Sequence, residues 1–263
     1  MPRKYLVIMA HPDDPDILFG GCAIKLVRQG HIVKFVTLSN GDAGHHAMTR
    51  EALAERRYHE AQAAGAIAGV EYQIQPRHDC EVVADLALRA EVTGIIRDFS
   101  PDVVITHREC DYHADHRGTA QAVRDAAYLV TVPLYCPEHP AMRDNPIFME
   151  CWDRFKRSPF EPDAAMAIDD VIEEKLKMID CHVSQVYEWL PWNRNQGEVM
   201  EESWEWRREY LFRLYMGRMA RQVPDHPEFI RRRFAVAPEH IESFAVSEYG
   251  RQPSEEELRE IFP

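Results

Sequence analysis

A histidine and two aspartates follow a short apolar run near the start of the chain. The apolar residues 5–9 are followed at once by the sequence AHPDD. Pro12 has no amide hydrogen to donate to a sheet, so we expect a buried strand to end here in a tight turn. His11 and Asp14 then offer an imidazole and a carboxylate, which suit a borderline divalent ion such as zinc. Asp13 would lie beside that ion without needing to bind it.

The densest cluster of ionisable residues, RECDYHADHR, follows a second apolar segment, DVVITH. Ligands bind at the carboxyl ends of strands in open α/β sheets, so we expect the two clusters to face one crevice if their strands are close. One histidine of the second cluster, His113 or His116, would then complete a set of three ligands with His11 and Asp14. Three protein ligands leave one coordination position open, as a catalytic zinc requires.

Each of these residues, taken alone, also fits an ordinary structural role. An aspartate after a strand commonly caps the next helix, and histidines are common in surface loops. The pairing of the two clusters favours the metal site. Five further polar residues are candidates for contacts with sugar hydroxyl or carbonyl groups, and each fits equally well as an ordinary loop or helix-end residue: Asp42, Arg108, Asp111, Tyr112 and His182.

Strands and helices alternate along the first half of the chain, as the spacing of its apolar residues indicates. We expect strands at residues 5–9, 31–38, 71–74 and 102–107, and helices at 16–29, 49–68 and 83–99. Gly30 and Gly69 are placed to end the first two helices. The alternation predicts a Rossmann-like α/β fold, with a mostly parallel sheet, helices on both faces and the metal site at the carboxyl ends of the strands.

The pattern is looser beyond residue 130. We expect a Pro-rich stretch at 133–162, short strands near 147–149 and 164–168, and helices from Asp169 to about 186 and over 203–220. We interpret residues 1–263 as one domain, with a core at about 1–186 and a C-terminal helical extension and acidic tail at 187–263. Five aromatic residues of this extension would stack on a sugar, fill the core or form the interface of a homo-oligomer: Trp189, Trp192, Trp204, Trp206 and Tyr210.

Composition narrows the class of protein further. The 31 basic and 44 acidic residues give a net charge of −13, which disfavours nucleic acid and anionic membrane surfaces as partners. The six cysteines are scattered without a CxxC pair, which favours reduced thiols in a cytoplasmic protein. No segment approaches the roughly 20 apolar residues of a membrane span.

These segments resemble a known family. AHPDD with Gly20 and Gly21 shortly after it, GDAG at residues 41–44 and DYHADHR at residues 111–117 are similar to the motifs of the LmbE-like, or PIG-L-like, N-deacetylases. Lys175 and the segment HVSQ resemble a later motif of that family. Its members remove acetyl groups from N-acetylglucosamine-type sugars and related amides. The resemblance therefore implies a small N-acyl sugar or sugar conjugate as substrate.

The resemblance also assigns the metal ligands and the base. It implies that His11, Asp14 and His116 hold one zinc ion per chain, with Fe²⁺ as the alternative metal. Zinc polarises an amide oxygen and lowers the pKa of bound water to about 7. Asp13 is implied as the general base that takes a proton from this metal-activated water.

The resemblance implies roles for two more residues, and the sequence differs from the family pattern at two positions. His113 would stabilise the oxyanion or protonate the leaving amine, and Asp115 would orient a neighbouring histidine. The common Glu after the two aspartates is here Pro15, and the common Pro of the later motif is here Ala114. Neither replaced side chain is a ligand, so we expect the chemistry to survive while substrate preference shifts.

Two alternatives remain open from the sequence. An amidase of a larger sugar or thiol conjugate would keep the metal and change the acyl group. A non-catalytic sugar- or nucleotide-binding Rossmann-like module would keep only the sheet. The second alternative is disfavoured because the first turn lacks G-x-G-x-x-G and its two carboxylates would repel a pyrophosphate.

Overall fold

Seven strands form one sheet, with β1 and β4 side by side at its centre. The computed structural model describes residues 2–155, 158–200 and 203–263. The order across the sheet is β3-β2-β1-β4-β5-β7-β6; the first five strands run parallel, and β7 runs antiparallel to both of its neighbours. The strands are β1 (Lys4–Met9), β2 (Ile32–Thr37), β3 (Glu71–Ile74), β4 (Val103–Thr106), β5 (Ile147–Cys151), β6 (Ala164–Ala167) and β7 (Ile241–Gly250).

Helices connect the strands and cover the sheet. They are α1 (Asp14–Arg28), α2 (Arg50–Ala68), α3 (Leu86–Phe99), α4 (Ala114–Leu129), α5 (Ile172–Asp180), α6 (Leu190–Asn193), α7 (Trp204–Leu211), α8 (Gly217–Asp225), α9 (Pro227–Arg233) and α10 (Glu255–Ile261). Thr49 caps α2, and Gly69 ends it at a φ of 72°, a left-handed conformation that glycine adopts without strain. Across the described ranges, no helix combines the length and apolar character needed to cross a membrane.

The central strand β1 is buried on both faces. Tyr5, Val7 and Met9 pack into one core cluster with residues of α1, α2 and α5. Leu6 and Ile8 pack into a second cluster with residues of α3 and α4. A strand covered on both sides reads as a continuous apolar run, which explains why this strand could be located from sequence. The predicted doubly covered, mostly parallel α/β sheet is confirmed.

Two predicted helices are interrupted. The helix expected from Asp169 to residue 186 is a 3₁₀ turn at Asp169–Val171, then α5, then a π-helical segment at Ser184–Trp189. The helix expected over residues 203–220 contains a π-helical segment at Phe212–Met216 between α7 and α8. π-helical segments are often found at functional sites. Both segments carry residues that line the main cavity.

The C-terminal region belongs to the sheet and to the core. Strand β7 lies between β5 and β6, so the expected boundary near residue 186 does not divide the sheet from a helical extension. The acidic tail forms α10 and buries Leu258, Ile261 and Phe262. The Phe262 ring stacks on Phe244 with centroids 4.8 Å apart. Apolar side chains among the acidic residues therefore anchor the tail.

Candidate metal centre

The two polar clusters leave the sheet from neighbouring parallel strands. In the register of β1 and β4, Tyr5 is opposite Val103 and Val7 is opposite Ile105. After β1, the amides of Asp13 and Asp14 both donate to the carbonyl oxygen of His11, at 2.9 and 3.2 Å. This tight turn opens α1. The Asp13 side chain makes no capping hydrogen bond, so its role is not that of a helix cap.

Three donor atoms of the predicted ligands converge on one point. His11 Nδ1 lies 3.2 Å from Asp14 Oδ2 and 3.2 Å from His116 Nε2, and His116 Nε2 lies 3.4 Å from Asp14 Oδ2. Nitrogen and oxygen ligands lie about 2.0–2.2 Å from zinc, so neighbouring ligands of a tetrahedral ion are about 3.4 Å apart. The triangle of donor atoms therefore has the size of one face of a metal coordination shell.

Carboxylates hold the outer nitrogens of both histidines. His11 Nε2 lies 3.2 Å from Asp115 Oδ2 and 3.2 Å from Asp79 Oδ1. His116 Nδ1 lies 3.1 Å from Asp111 Oδ1. A ring N–H of His11 donated to Asp115 leaves the lone pair of His11 Nδ1 facing the triangle, and the Asp111 carboxylate beside His116 Nδ1 favours the matching orientation of that ring. Histidine ligands of metals are oriented in this way in known sites.

Burial and nearby carboxylates compete over the charge of these histidines. Burial lowers the pKa of His116, but Asp14 and Asp111 outweigh burial and raise that pKa to about 9. Burial also lowers the pKa of His11, and Asp115, Asp14 and Asp79 raise it well above its usual value. Both rings therefore sit in a strongly negative potential, which favours a cation between them.

His107 belongs to the same cluster, although the sequence did not indicate it as a site residue. Its ring stacks on His116 with centroids 4.0 Å apart and planes 4° apart. Its Nε2 accepts the amide hydrogen of Ala10 at 3.1 Å and lies 3.3 Å from Asp14 Oδ2. Burial and the neighbouring His116 lower the pKa of His107 to about 4, so the ring is neutral at pH 7. It packs the His116 ring in place.

Asp13 is oriented by an arginine from α2. Arg57 is buried, and its Nη2 donates to Asp13 Oδ1 at 2.9 Å while its Nη1 donates to the carbonyl oxygen of Gly41 at 3.0 Å. Gly41 has a φ of 69°, and a Cβ atom there would collide with the Arg57 guanidinium. The glycine is therefore needed both for the turn and for the close approach of Arg57.

His113 faces the same space from the start of α4. Its Nδ1 accepts the amide hydrogen of Asp115 at 3.1 Å, so the neutral ring carries its hydrogen on Nε2. The ring centroid lies 4.6 Å from that of His11. Burial, together with His11 and His116, lowers the pKa of His113. At neutral pH His113 is a neutral hydrogen-bond donor.

Asp115 connects the triangle of donor atoms to the loop after β3. In addition to the contact with His11, its carboxylate accepts the amide hydrogens of Cys80 at 2.7 Å and Val82 at 3.2 Å. Asp79, which the sequence did not indicate, lies in this loop, and His11 and Arg57 lower its pKa despite burial. The loop therefore places the Asp79 carboxylate beside His11, and its backbone amides hold the Asp115 carboxylate.

A cavity of about 450 Å³ opens above the triangle of donor atoms. Three of the five residues predicted to contact a substrate lie on its wall: Arg108, Asp111 and Tyr112. Arg108 donates to Asp153 Oδ2 at 2.9 Å, and Asp111 accepts the His113 amide at 2.8 Å. Tyr112 is 70% exposed at the mouth.

The other two predicted contacts lie outside the cavity wall. Asp42 is buried, 2.5 Å from His78 Nδ1, and accepts the amide hydrogen of Asp79 at 3.0 Å. His182 is fully buried with its Nε2 3.0 Å from Asp16 Oδ2. The structure thus places Asp42 under the loop that carries Asp79, and His182 beneath α1.

The departures from the family pattern occupy helix starts. Pro15 lies in the first turn of α1, where a missing amide hydrogen costs nothing and the fixed φ suits the helix. Ala114 is the first residue of α4, directly after the capping His113. Neither change removes a donor atom from the triangle.

The aromatic residues of the C-terminal region have separate roles. Trp189 lines the cavity, and Trp192 stacks on His46 with centroids 4.5 Å apart. The remaining three pack against the core: Trp204, Trp206 and Tyr210.

Comparisons with known proteins agree with the resemblance seen in the motifs. The PIG-L family, described as GlcNAc-PI de-N-acetylase, matches residues 6–127. Diacetylchitobiose deacetylase of Thermococcus kodakarensis is 26% identical over 226 residues, which cover 83% of this chain and 79% of that protein. A 1D-myo-inositol 2-acetamido-2-deoxy-alpha-D-glucopyranoside deacetylase of Catenulispora acidiphila is 29% identical over 172 residues, 54% of this chain and 53% of that protein.

Solved structures share the fold. N,N'-diacetylchitobiose deacetylase from Pyrococcus horikoshii has a TM-score of 0.72 and 21% identity, covering 93% of this chain and 84% of that one. The 4-carboxy-2-hydroxymuconate hydratase GalB from Pseudomonas putida also has a TM-score of 0.72, with 20% identity over 96% of this chain and 98% of that one. A zinc-inhibited form of teicoplanin deacetylase has a TM-score of 0.60 and 16% identity, over 93% of this chain and 99% of that one. The fold thus serves deacetylases and a hydratase.

Proposed function

The PIG-L family matches residues 6–127, and on that basis we propose that this chain is a zinc-dependent N-deacetylase of an amino sugar or sugar conjugate. The observation that carries the proposal is the triangle of donor atoms from His11, Asp14 and His116, with edges of 3.2, 3.2 and 3.4 Å. It lies at the bottom of a cavity whose size suits a small molecule.

The chemistry of the donor set fits a single divalent ion. Two neutral imidazoles and one carboxylate are a usual ligand set for catalytic zinc, and Fe²⁺ is the alternative that the same set accepts. A divalent ion held there supplies a Lewis acid that polarises the amide oxygen and makes water more acidic. Asp115, Asp79 and Asp111 keep the two imidazole lone pairs aimed at that position.

Asp13 is the proposed general base. It lies on the cavity wall next to the ligand Asp14, and Arg57 fixes its Oδ1. The second carboxylate oxygen is left to accept a proton from a water that attacks the amide carbon. A positioned carboxylate of this kind contributes about 100- to 10,000-fold in rate.

His113 is proposed to serve the oxygen of the amide. Its Nε2–H points away from the capping contact with Asp115 and donates to an oxygen that gains negative charge in the transition state. The proton that Asp13 accepts is then available to the leaving amine. We therefore assign His113 to oxyanion stabilisation in preference to the acid role that the sequence left open.

Two further elements of the proposal concern location and partners. The described structure leaves all six cysteines as free thiols, which supports a reducing, cytoplasmic location. The net charge of −13 supports a small-molecule substrate over nucleic acid.

The test is hydrolysis of a panel of N-acylated sugars by metal-loaded protein. Release of acetate together with an equal amount of primary amine supports the proposal, and chelation by EDTA should abolish it. Loading with zinc and with Fe²⁺, each followed by elemental analysis, identifies the metal. Release of a larger acid alone would support the conjugate amidase, and consumption of an unsaturated acid without acid release would support a hydratase. Asp13→Asn activity equal to wild type on every active substrate would refute the assignment of the base.

A further inference from the structure

We infer that the cavity has a second binding subsite, one for a carboxylate or phosphate group that the substrate carries in addition to its acetamido group. The inference rests on the proposed deacetylase function and narrows its substrate class to anionic N-acetylated sugars. Three arginines of the cavity wall carry it, because the described parts of the chain give them no carboxylate partner: Arg154, Arg194 and Arg218.

The other two arginines of the cavity differ from these three. Arg57 is paired with Asp13 at 2.9 Å, and Arg108 is paired with Asp153 at 2.9 Å. A guanidinium that already binds a carboxylate inside the protein has little left to offer a ligand. Arg218, in contrast, makes no ion pair with any described residue and only lies over the Tyr215 ring, 5.7 Å from its centroid.

The surroundings of Arg218 are unfavourable to its own charge. The side chain is partly buried, and burial lowers its pKa, as do the positive charges of Arg154 and Arg194. Three cations on one wall repel each other unless an anion lies among them. Bidentate hydrogen bonds from guanidinium groups to carboxylate or phosphate oxygens are the usual way to satisfy such a set.

Two tyrosines connect this wall to the proposed reaction centre. Tyr215 is buried and lines the cavity, and its phenol is influenced electrostatically by both Asp13 and Arg218. The Tyr112 ring lies 5.6 Å from the ring of His116 and also influences Arg218. A molecule within this one cavity can therefore present its acetamido group to the metal centre and an anionic group to the arginines.

The net charge of the protein makes the three arginines stand out as a site for an anionic group. With a net charge of −13, the protein repels anions at long range. A small anion is attracted only where positive side chains are concentrated, so this wall selects a charged group by position.

The test compares three substrates with metal-loaded enzyme: neutral N-acetylglucosamine, N-acetylglucosamine 6-phosphate and N-acetylmuramic acid, which carries a carboxylate. We expect kcat/KM for at least one anionic substrate to exceed that for the neutral sugar by about 10- to 100-fold, mostly through KM, as for a hydrogen bond to a charged group. Which of the two anionic substrates gains more distinguishes phosphate from carboxylate.

Substitution of the arginines shows where the gain arises. Arg218→Gln should remove most of the gain, so that kcat/KM for the anionic substrate falls towards the value for N-acetylglucosamine measured with the same variant, and Arg218→Lys should keep part of the gain. Arg194→Gln, at an exposed position, repeats the test if Arg218→Gln folds poorly. The matched control is Arg213→Gln in the π-helical segment directly before α8, an exposed arginine 3.8 Å from Glu209 and outside the cavity wall.

A binding measurement separates the subsite from the catalytic proposal. Calorimetry with glucose 6-phosphate, glucuronate and glucose needs no acetyl group and no turnover. Tighter binding of an anionic sugar by wild type than by Arg218→Gln supports the subsite even if no N-acetylated sugar is hydrolysed, a result that would refute only the proposed function. Equal binding of all three sugars by both proteins would overturn the subsite, as would equal kcat/KM for neutral and anionic substrates.

Discussion

Two groups of buried charged residues lie against α1, and they differ in whether their polar atoms are used up within the protein. At the start of the helix is an open group, in which His11 Nδ1, Asp14 Oδ2 and His116 Nε2 lie 3.2, 3.2 and 3.4 Å from one another. Along its side, Lys175 forms an ion pair with Glu242, and both side chains are fully buried.

The second group is closed, because its charged atoms are paired with other atoms of the protein. Lys175 Nζ also donates to the carbonyl oxygen of Ile17 at 2.7 Å, and Glu242 accepts the amide hydrogens of Gly21 at 2.9 Å and Cys22 at 2.7 Å. The Lys175–Glu242 pair therefore connects α1 to α5 and to β7. Two imidazole nitrogens and a carboxylate oxygen that face one another indicate a binding site, whereas an equally buried but oppositely charged and fully paired set indicates a structural contact that holds the helix carrying Asp14.

The largest effect should come from removing a ligand. His11→Ala leaves two of the three donor atoms, so we expect loss of stoichiometric metal and a fall in kcat/KM of about 1000-fold or more, since the metal supplies several kcal/mol. Elemental analysis and steady-state kinetics measure both. Full metal content in the variant would show that the triangle is not the binding site.

Removing the base should separate metal from activity. Asp13→Asn keeps all three ligands, so we expect metal content near wild type and a fall in kcat of about 100- to 10,000-fold. The comparison with His11→Ala is the control, because only one of the two variants should lose metal. A parallel loss of metal in Asp13→Asn would make Asp13 a ligand.

Breaking the closed group should affect stability and spare the site. Lys175→Met leaves the Glu242 carboxylate buried without its counter-ion, and we expect a loss of about 3–5 kcal/mol in the free energy of unfolding. Urea denaturation at constant metal measures it. Metal content of the folded variant should stay near wild type, and a stability within about 0.5 kcal/mol of wild type would contradict the structural role.

A residue that supports a ligand should have an intermediate effect. Asp115→Asn weakens the acceptor for His11 Nε2 while leaving the triangle intact, so we expect metal affinity to fall about 10- to 100-fold. Competition with a chromophoric chelator gives the affinity. Because Asp115 also accepts the Cys80 and Val82 amides, a thermal unfolding curve should accompany it, and an unchanged affinity would assign Asp115 to the loop alone.

The sequence predicted the open group of His11, Asp14 and His116 better than the closed group of Lys175 and Glu242. AHPDD and DYHADHR are local motifs at strand ends, and the topology of a parallel sheet brings them together. Arg57 lies in a helix 44 positions after Asp13, among other charged residues, and only the packing of α2 against the first turn reveals its contact. The sequence offered one indirect signal, Gly41 in a polar loop.

The strand β7 was missed for a similar reason. It follows a charged helical region, and its partners β5 and β6 lie far earlier in the chain. Glu242, a buried charge in that strand, also interrupts its apolar pattern. Partners distant in sequence are set by tertiary packing, which a local pattern does not contain.

The smallest effect concerns His182, whose Nε2 lies 3.0 Å from Asp16 Oδ2 in the first turn of α1. Burial lowers the pKa of His182, but Asp16 outweighs burial and raises it. A histidine whose pKa is higher in the folded state stabilises the fold fully below its unfolded pKa of about 6.5, and this stabilisation is lost as the pH rises through the folded pKa. In metal-loaded protein, the stability difference between wild type and His182→Asn should therefore be larger at pH 6 than at pH 9. Other titrating groups occur in both proteins and cancel in the difference, so parallel urea-denaturation results at the two pH values would mean that His182 stays neutral and packs beneath α1 without pairing with Asp16.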